Sequence, residues 1–306
     1  MKKNFLCMFL VGCSSLICAN EQVEPAQEVK KGHSSQDIII HNAYYEDNWF
    51  TPYVEMDMGY RYDTINTNLE LLSDIYDVIG ARKQKLDLFQ LNFKAGMRFL
   101  QYLFLKTNVG LGFLISDKDI EASYLNGTDF LVNSYTKTFH KGFGLDWLIG
   151  GGFHIPLYKD YVVLEPEIGY DYKRIKVNHS LRVRISSPYA GGSLCFSPGA
   201  GVGITFYGEY FFDPALNETG YLYLVKSDSF IPSPTVYTHH HITAYKVGAY
   251  LSYLLECKLS LDFIYERFSG GSGYVTGSFE GGLDTFRERL DYWRENIFQF
   301  GLRYSF

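Results

Sequence analysis

The sequence predicts an all-β fold, a ten-stranded antiparallel transmembrane β-barrel, and three observations predict it. The chain ends in NIFQFGLRYSF, with apolar side chains at Phe298, Phe300, Leu302, Tyr304 and Phe306. That period of two belongs to a strand with one greasy face and one wet face. The same alternation recurs in nine earlier stretches. The links between these stretches are alternately short and long, the pattern of a barrel with short periplasmic turns and long extracellular loops.

The N-terminus prepares such a chain for export. Lys2 and Lys3 precede an apolar run from Phe5 to Val11, and Ile17-Cys18-Ala19 offers a cleavage site. Residues 1–19 therefore read as a signal peptide, too short to span a membrane. Leu10-Val11-Gly12-Cys13 also resembles a lipoprotein box, which leaves lipidation at Cys13 open. Residues 21–37 are polar and aperiodic, and 20–48 reads as a flexible periplasmic segment. The barrel is assigned to 49–306.

In YVEMDMGYRYD, Val54, Met56, Met58, Tyr60 and Tyr62 oppose Tyr53, Glu55, Asp57, Gly59 and Arg61. In FQLNFKAGMRF, Phe89, Leu91, Phe93, Ala95, Met97 and Phe99 oppose Gln90, Asn92, Lys94, Gly96 and Arg98. The split continues through 103–114, 143–155, 162–173, 189–196, 202–212, 242–254, 259–268 and 296–306. Tight turns fall near residues 100, 158, 198 and 256. Loops are expected at 64–85, 115–142, 174–188, 213–241 and 269–295. An even strand number leaves both barrel ends on the periplasmic side, and without water in the bilayer only closure satisfies the backbone.

The inward positions carry both signs of charge, among them Arg61, Lys106, Asp146, Glu167, Lys173, Glu209, Lys246, Asp262 and Arg303. A ten-stranded lumen is nearly filled by side chains, so these charges should pair. On this reading the inward Gln90 should accept Arg far more easily than the lipid-facing Phe93.

Composition narrows the classes further. The chain carries 34 acidic against 28 basic residues, which gives no footprint for nucleic acid. Tyr 26 and Phe 24 against Trp 3 suit rings at a membrane interface. Three of five cysteines lie in the leader, and Cys195 and Cys257 alone make no disulfide framework.

Chemistry is expected in the loops. SDKDIE places Asp117 and Asp119 beyond the third strand, two apart and therefore on one face. Continued parity would aim them outward, so an inward site needs a bulge or turn after Leu114. Near the far end of the fourth loop stands His239-His240-His241, of which His239 and His241 share a face. Two imidazoles fall short of the three or four ligands of a zinc site, so no metal is expected. In the fifth loop Leu283, Phe286 and Leu290 have helical spacing, beside Arg287, Arg289 and Arg294.

Ten strands, the loop order, the Asp-x-Asp of the second outer loop and the aromatic C-terminus together resemble the omptins, outer-membrane endopeptidases. The resemblance implies a water activated between that acid pair and an Asp–His pair from the fourth outer loop, for cleavage between basic residues. Asp117 and Asp119 match the first pair. The chain has no Asp-x-His, and Asp228, His239 and His241 are the residues available in its place. A second likeness is to uncharacterised outer-membrane barrels of chlamydia-type bacteria. The terminal Phe306 also resembles the signal read by the barrel-assembly machinery, which makes that machinery an expected partner.

The expectation is an outer-membrane surface protein of a Gram-negative bacterium, acting through its loops in surface interaction. An omptin-type aspartyl endopeptidase is the alternative, and a narrow pore is a third reading. No cofactor is expected; lipopolysaccharide, a surface ligand or a peptide substrate are the expected contacts.

Overall fold

The computed structural model describes residues 50–71, 78–100, 102–125, 131–137, 142–158, 161–177, 181–199, 201–220, 223–226, 229–232, 236–256, 258–278 and 285–306. All belong to the unit Asp37–Phe306. The leader, the 20–48 segment, Asp228 and Cys257 lie outside the described residues, as do the side chains of Asp119, His239 and His240.

The strands are β1 (Phe50–Leu71), β2 (Val78–Phe99), β3 (Leu103–Leu125), β4 (Leu131–Lys137), β5 (Gly142–Phe153) and β6 (Ile155–Tyr158). They continue as β7 (Val162–Val177), β8 (Leu181–Gly199), β9 (Val202–Phe211), β10 (Ala215–Gly220) and β11 (Tyr223–Lys226). The last are β12 (Ser229–Pro232), β13 (Val236–His241), β14 (Thr243–Glu256), β15 (Leu259–Ser278) and β16 (Thr285–Ser305).

Ten antiparallel walls close the barrel. β4 and β5 both pair with β3, and β5 and β6 both pair with β7, so these three form one interrupted wall. β9 and β10 follow one another along β8, with β14 and β13 on their far side. The ring closes where β1 meets β16, from Tyr53 opposite Ser305 to Leu71 opposite Phe286. β11 and β12 form a separate hairpin.

Phe93, Ile149, Phe206, Leu251, Phe263 and Phe298 stand exposed on the outer surface. Such a girdle of apolar side chains is stable only against lipid. Behind it the predicted charges point inward, and Glu55, Asp57, Arg61 and Asp262 are at most 3% exposed.

The walls run well past the predicted loop boundaries. β1 continues through Thr64 to Leu71, and β2 begins at Val78, so much of the expected 64–85 loop is paired strand. The expected helix around Leu283–Leu290 lies partly in β16, where Phe286 and Leu290 pair with both neighbouring strands. The reason is a reversal of polarity along each wall. Beside the lipid, β2 is apolar outside and polar inside; above it, Asp87 and Lys85 face out while Leu86 and Leu88 are buried inside. The same exchange places Arg174 and Lys176 outside and Ile175 and Val177 inside on β7. Beyond the bilayer the outer face meets water and the inner face no longer does, so the alternation persists with its sense inverted.

Candidate functional site

The inverted segments build an apolar core inside the barrel. Ile65, Leu88, Ile175, Val183, Phe211 and Phe268 belong to it, together with Leu290 and Trp293. Phe268 sits edge-on between Phe211 and Trp293, with ring centroids 5.6 and 5.4 Å apart. Burying each such side chain stabilises the fold by about 1.5–3 kcal/mol. The core fills the end of the lumen opposite the two barrel termini, the extracellular end in outer-membrane barrels.

Directly beneath lies a layer of ion pairs centred on Arg61. Its Nη1 donates to Asp146 at 2.6 Å, and its Nη2 approaches Asp63 at 3.0 Å and Glu295 at 2.8 Å. Lys173 reaches Glu295 at 2.7 Å and lies over the Phe268 ring at 5.1 Å. Lys246 bridges Glu209 and Asp171 at 2.5 and 3.7 Å. Removing one partner from such a layer would leave unpaired charge in a dry interior. The predicted pairing of inward charges is therefore present. Asp63 and Glu295 were absent from the sequence-based set, although the parity of Arg61 and Gly301 points to both.

The acid pair rises from β3. Leu88 faces Leu114 while Asp87 faces Ser116, so Ile115 is an extra residue. This bulge is the one that an inward Asp117 requires. Ile115 is 62% exposed and Asp117 only 8%. Asp117 thus turns into the wall's inner face, opposite Leu86, and Asp119 stands opposite Gln84 in the register.

His241 points the other way. It neighbours the buried Ile242 and is itself exposed on the outer face, where its Nδ1 lies 2.6 Å from Oδ1 of Asp213. Asp213 lies two residues beyond β9 with a positive φ of 48°, and its carboxylate meets the last residue of β13. Asp213 was not among the residues singled out from sequence, because its partner lies 28 positions along the chain. His239 occupies a β13 register position opposite Asn217. The structure therefore joins His241 to Asp213 and sets it on the opposite face of the wall from Asp117. Among the described residues no group of His, Cys, Asp and Glu is arranged to hold a metal ion.

A second feature occupies the outer surface just above the lipid-facing girdle. Arg174 and Arg184 are direct cross-strand neighbours, with Lys176 two residues along. Lys85 and Lys118 are likewise paired across β2 and β3. Arg294 stacks over the Tyr292 ring at 4.6 Å. Like charges set directly opposite one another destabilise a sheet unless an anion lies between them.

The family model for Pom, Protochlamydia outer membrane protein, matches residues 55–266. No curated protein matches the chain. Among solved structures the outer membrane protease OmpT from Escherichia coli is similar, with a TM-score of 0.63, 8% identity, and coverage of 85% of this chain and 99% of that one. At that identity the likeness concerns the fold. The β domain of the Bordetella autotransporter BrkA overlaps 84% of this chain and 99% of its own at 14% identity, with a TM-score of 0.34.

Proposed function

The chain belongs to the Pom family of Protochlamydia outer membrane proteins, and from that premise we propose that it is a sealed surface barrel acting through its extracellular portion. The observation that carries this reading is the apolar core inside the outer half of the lumen. A conducting pore keeps water in its lumen, whereas this lumen is packed with side chains above a layer of ion pairs. The walls continue beyond the girdle with polar outer faces, which gives the molecule a rigid stalk for surface contact. Cells displaying the full chain should adhere to a cultured cell layer, and replacing residues 221–235 by a short Gly-Ser linker should abolish that adherence. Equal adherence of the two would reject the reading.

Lipopolysaccharide is the proposed contact of the outer leaflet. Its phosphates would sit between Arg174 and Arg184 and between Lys85 and Lys118, relieving the like-charge pairs. Arg174→Ala with Lys118→Ala should weaken retention of lipopolysaccharide by the refolded barrel and flatten its salt dependence.

The bulge that turns Asp117 inward favours a second reading as an omptin-like endopeptidase using Asp117 and Asp119. That reading needs a base from elsewhere in the loops, since His241 faces outward and His239 lies two residues before it in the same unbulged strand; Asp228 remains available as the orienting carboxylate. Cleavage of peptides with paired basic residues, lost in Asp119→Asn, would establish it; intact peptides would end it.

A further inference from the structure

Beneath the ion-pair layer the lumen holds a cavity of about 200 Å³ that extends to the periplasmic rim at Thr51, Lys258 and Ser305. It has room for about ten or more waters. Along one wall the cavity is faced by four charged side chains from three strands. Lys106 of β3 reaches Glu167 of β7 at 2.6 Å, and Arg98 of β2 reaches Glu165 of β7 at 3.3 Å. β5 runs between β3 and β7 and contributes Gly150 and Gly152 at this level. A Cβ at Gly150 would stand 2.3 Å from the Tyr189 hydroxyl, and one at Gly152 2.0 Å from the Pro166 carbonyl. Lys106 therefore reaches its carboxylate over one intervening strand that presents no side chain at this level, and Arg98 of β2 reaches across β3 and β5.

These groups are built into position and still accessible. The Lys106, Glu165 and Arg98 side chains keep 29, 22 and 12% of their surface. Glu165 is further oriented by His154 Nδ1 at 2.8 Å and by the Ser193 hydroxyl at 3.0 Å. In contrast, Glu55, Asp57 and Asp262 lie fully covered behind Lys94 and Arg303.

We propose that this chamber is a binding site, entered from the periplasm, for a small zwitterion of the amino-acid or short-peptide class. The four charges are already matched, so a ligand of one sign would separate an ion pair and offer nothing to the partner it displaces. A ligand carrying both an ammonium and a carboxylate restores both partners. Its carboxylate replaces Glu165 at Arg98 while its ammonium takes the Glu165 carboxylate. The Arg98–Glu165 pair is the one to open, being longer than the Lys106–Glu167 contact.

The test uses the full chain refolded in detergent and titrated by calorimetry with tri-alanine, N-acetyl-tri-alanine and tri-alanine amide. Tri-alanine should bind, and each capped peptide, having lost one charge, should bind about tenfold or more weakly. Arg98→Gln should erase the penalty of removing the carboxylate charge, and Glu165→Gln that of removing the ammonium. Heat-modifiable mobility checks that each variant is folded. Equal affinity of the three peptides, selectivity for the N-acetylated anion alone, or absence of binding by tri-alanine up to its solubility would each overturn the proposal. None of these outcomes depends on adherence at the opposite end of the barrel.

Discussion

Arg61 gathers Asp63, Asp146 and Glu295 around one guanidinium with no exposure to solvent. Arg61→Met should therefore cost about 3–5 kcal/mol, because three carboxylates would be left facing one another. Urea unfolding of the refolded barrel measures it, and a loss below about 1 kcal/mol would show the layer to be hydrated. Phe93 stands 48% exposed on the lipid side, and Phe93→Arg should cost about 2–4 kcal/mol near the midplane. Gln90 corrects the simpler expectation for an inward residue. It is 1% exposed and its amide donates to Asn92 Oδ1 at 2.9 Å. Gln90→Arg should thus also destabilise, by overpacking of about 1–3 kcal/mol. Facing decides which solvent a side chain meets, and local volume decides what it tolerates.

Within β3, the bulge at Ile115 lets Asp117 face inward although parity from Leu114 would send it outward. Deleting Ile115 should restore uninterrupted pairing and leave Asp117 opposite Leu86 on the inner face. Cys introduced at position 116 should react with a membrane-impermeant maleimide and Cys at position 117 should resist it, both with Ile115 present and after its deletion; labelling at position 117 would reject the assignment. The need for a bulge or turn after Leu114 was legible in the sequence, because parity alone sent Asp117 outward. The bulge itself was not, since Ile115 is an ordinary strand residue. The lower halves of β1 and β2 were legible because Met56 and Phe93 alternate with Glu55 and Lys94 in a strong contrast. The upper halves were not, because Leu86 and Leu88 take the inward positions that charge holds lower down. A test that seeks one fixed greasy face reads that inversion as an end of strand. The Asp213–His241 contact was equally hidden, being made by two residues flanking a long stretch of intervening chain.

For the whole molecule, on the proposed reading, the apolar core and ion-pair layer seal the lumen. The refolded protein should give no stable conductance in a planar bilayer. Phe268→Ala with Trp293→Ala removes two touching rings from that core and should produce a measurable leak while the barrel remains heat-modifiable. Steady conductance of the unaltered chain would contradict the seal. The bulge at Ile115 has a counterpart in β16, where the pairing with β1 skips Asp291 between Tyr292 and Leu290. Such extra residues act on a strand as frameshifts act on a message whose codons are two letters long. Inserting two residues in a wall preserves the meaning of everything downstream, whereas inserting one exchanges the lipid and lumen texts. Relatives of this chain should therefore vary their wall lengths in even steps, and an odd step should arrive with a bulge gained or lost in the same strand.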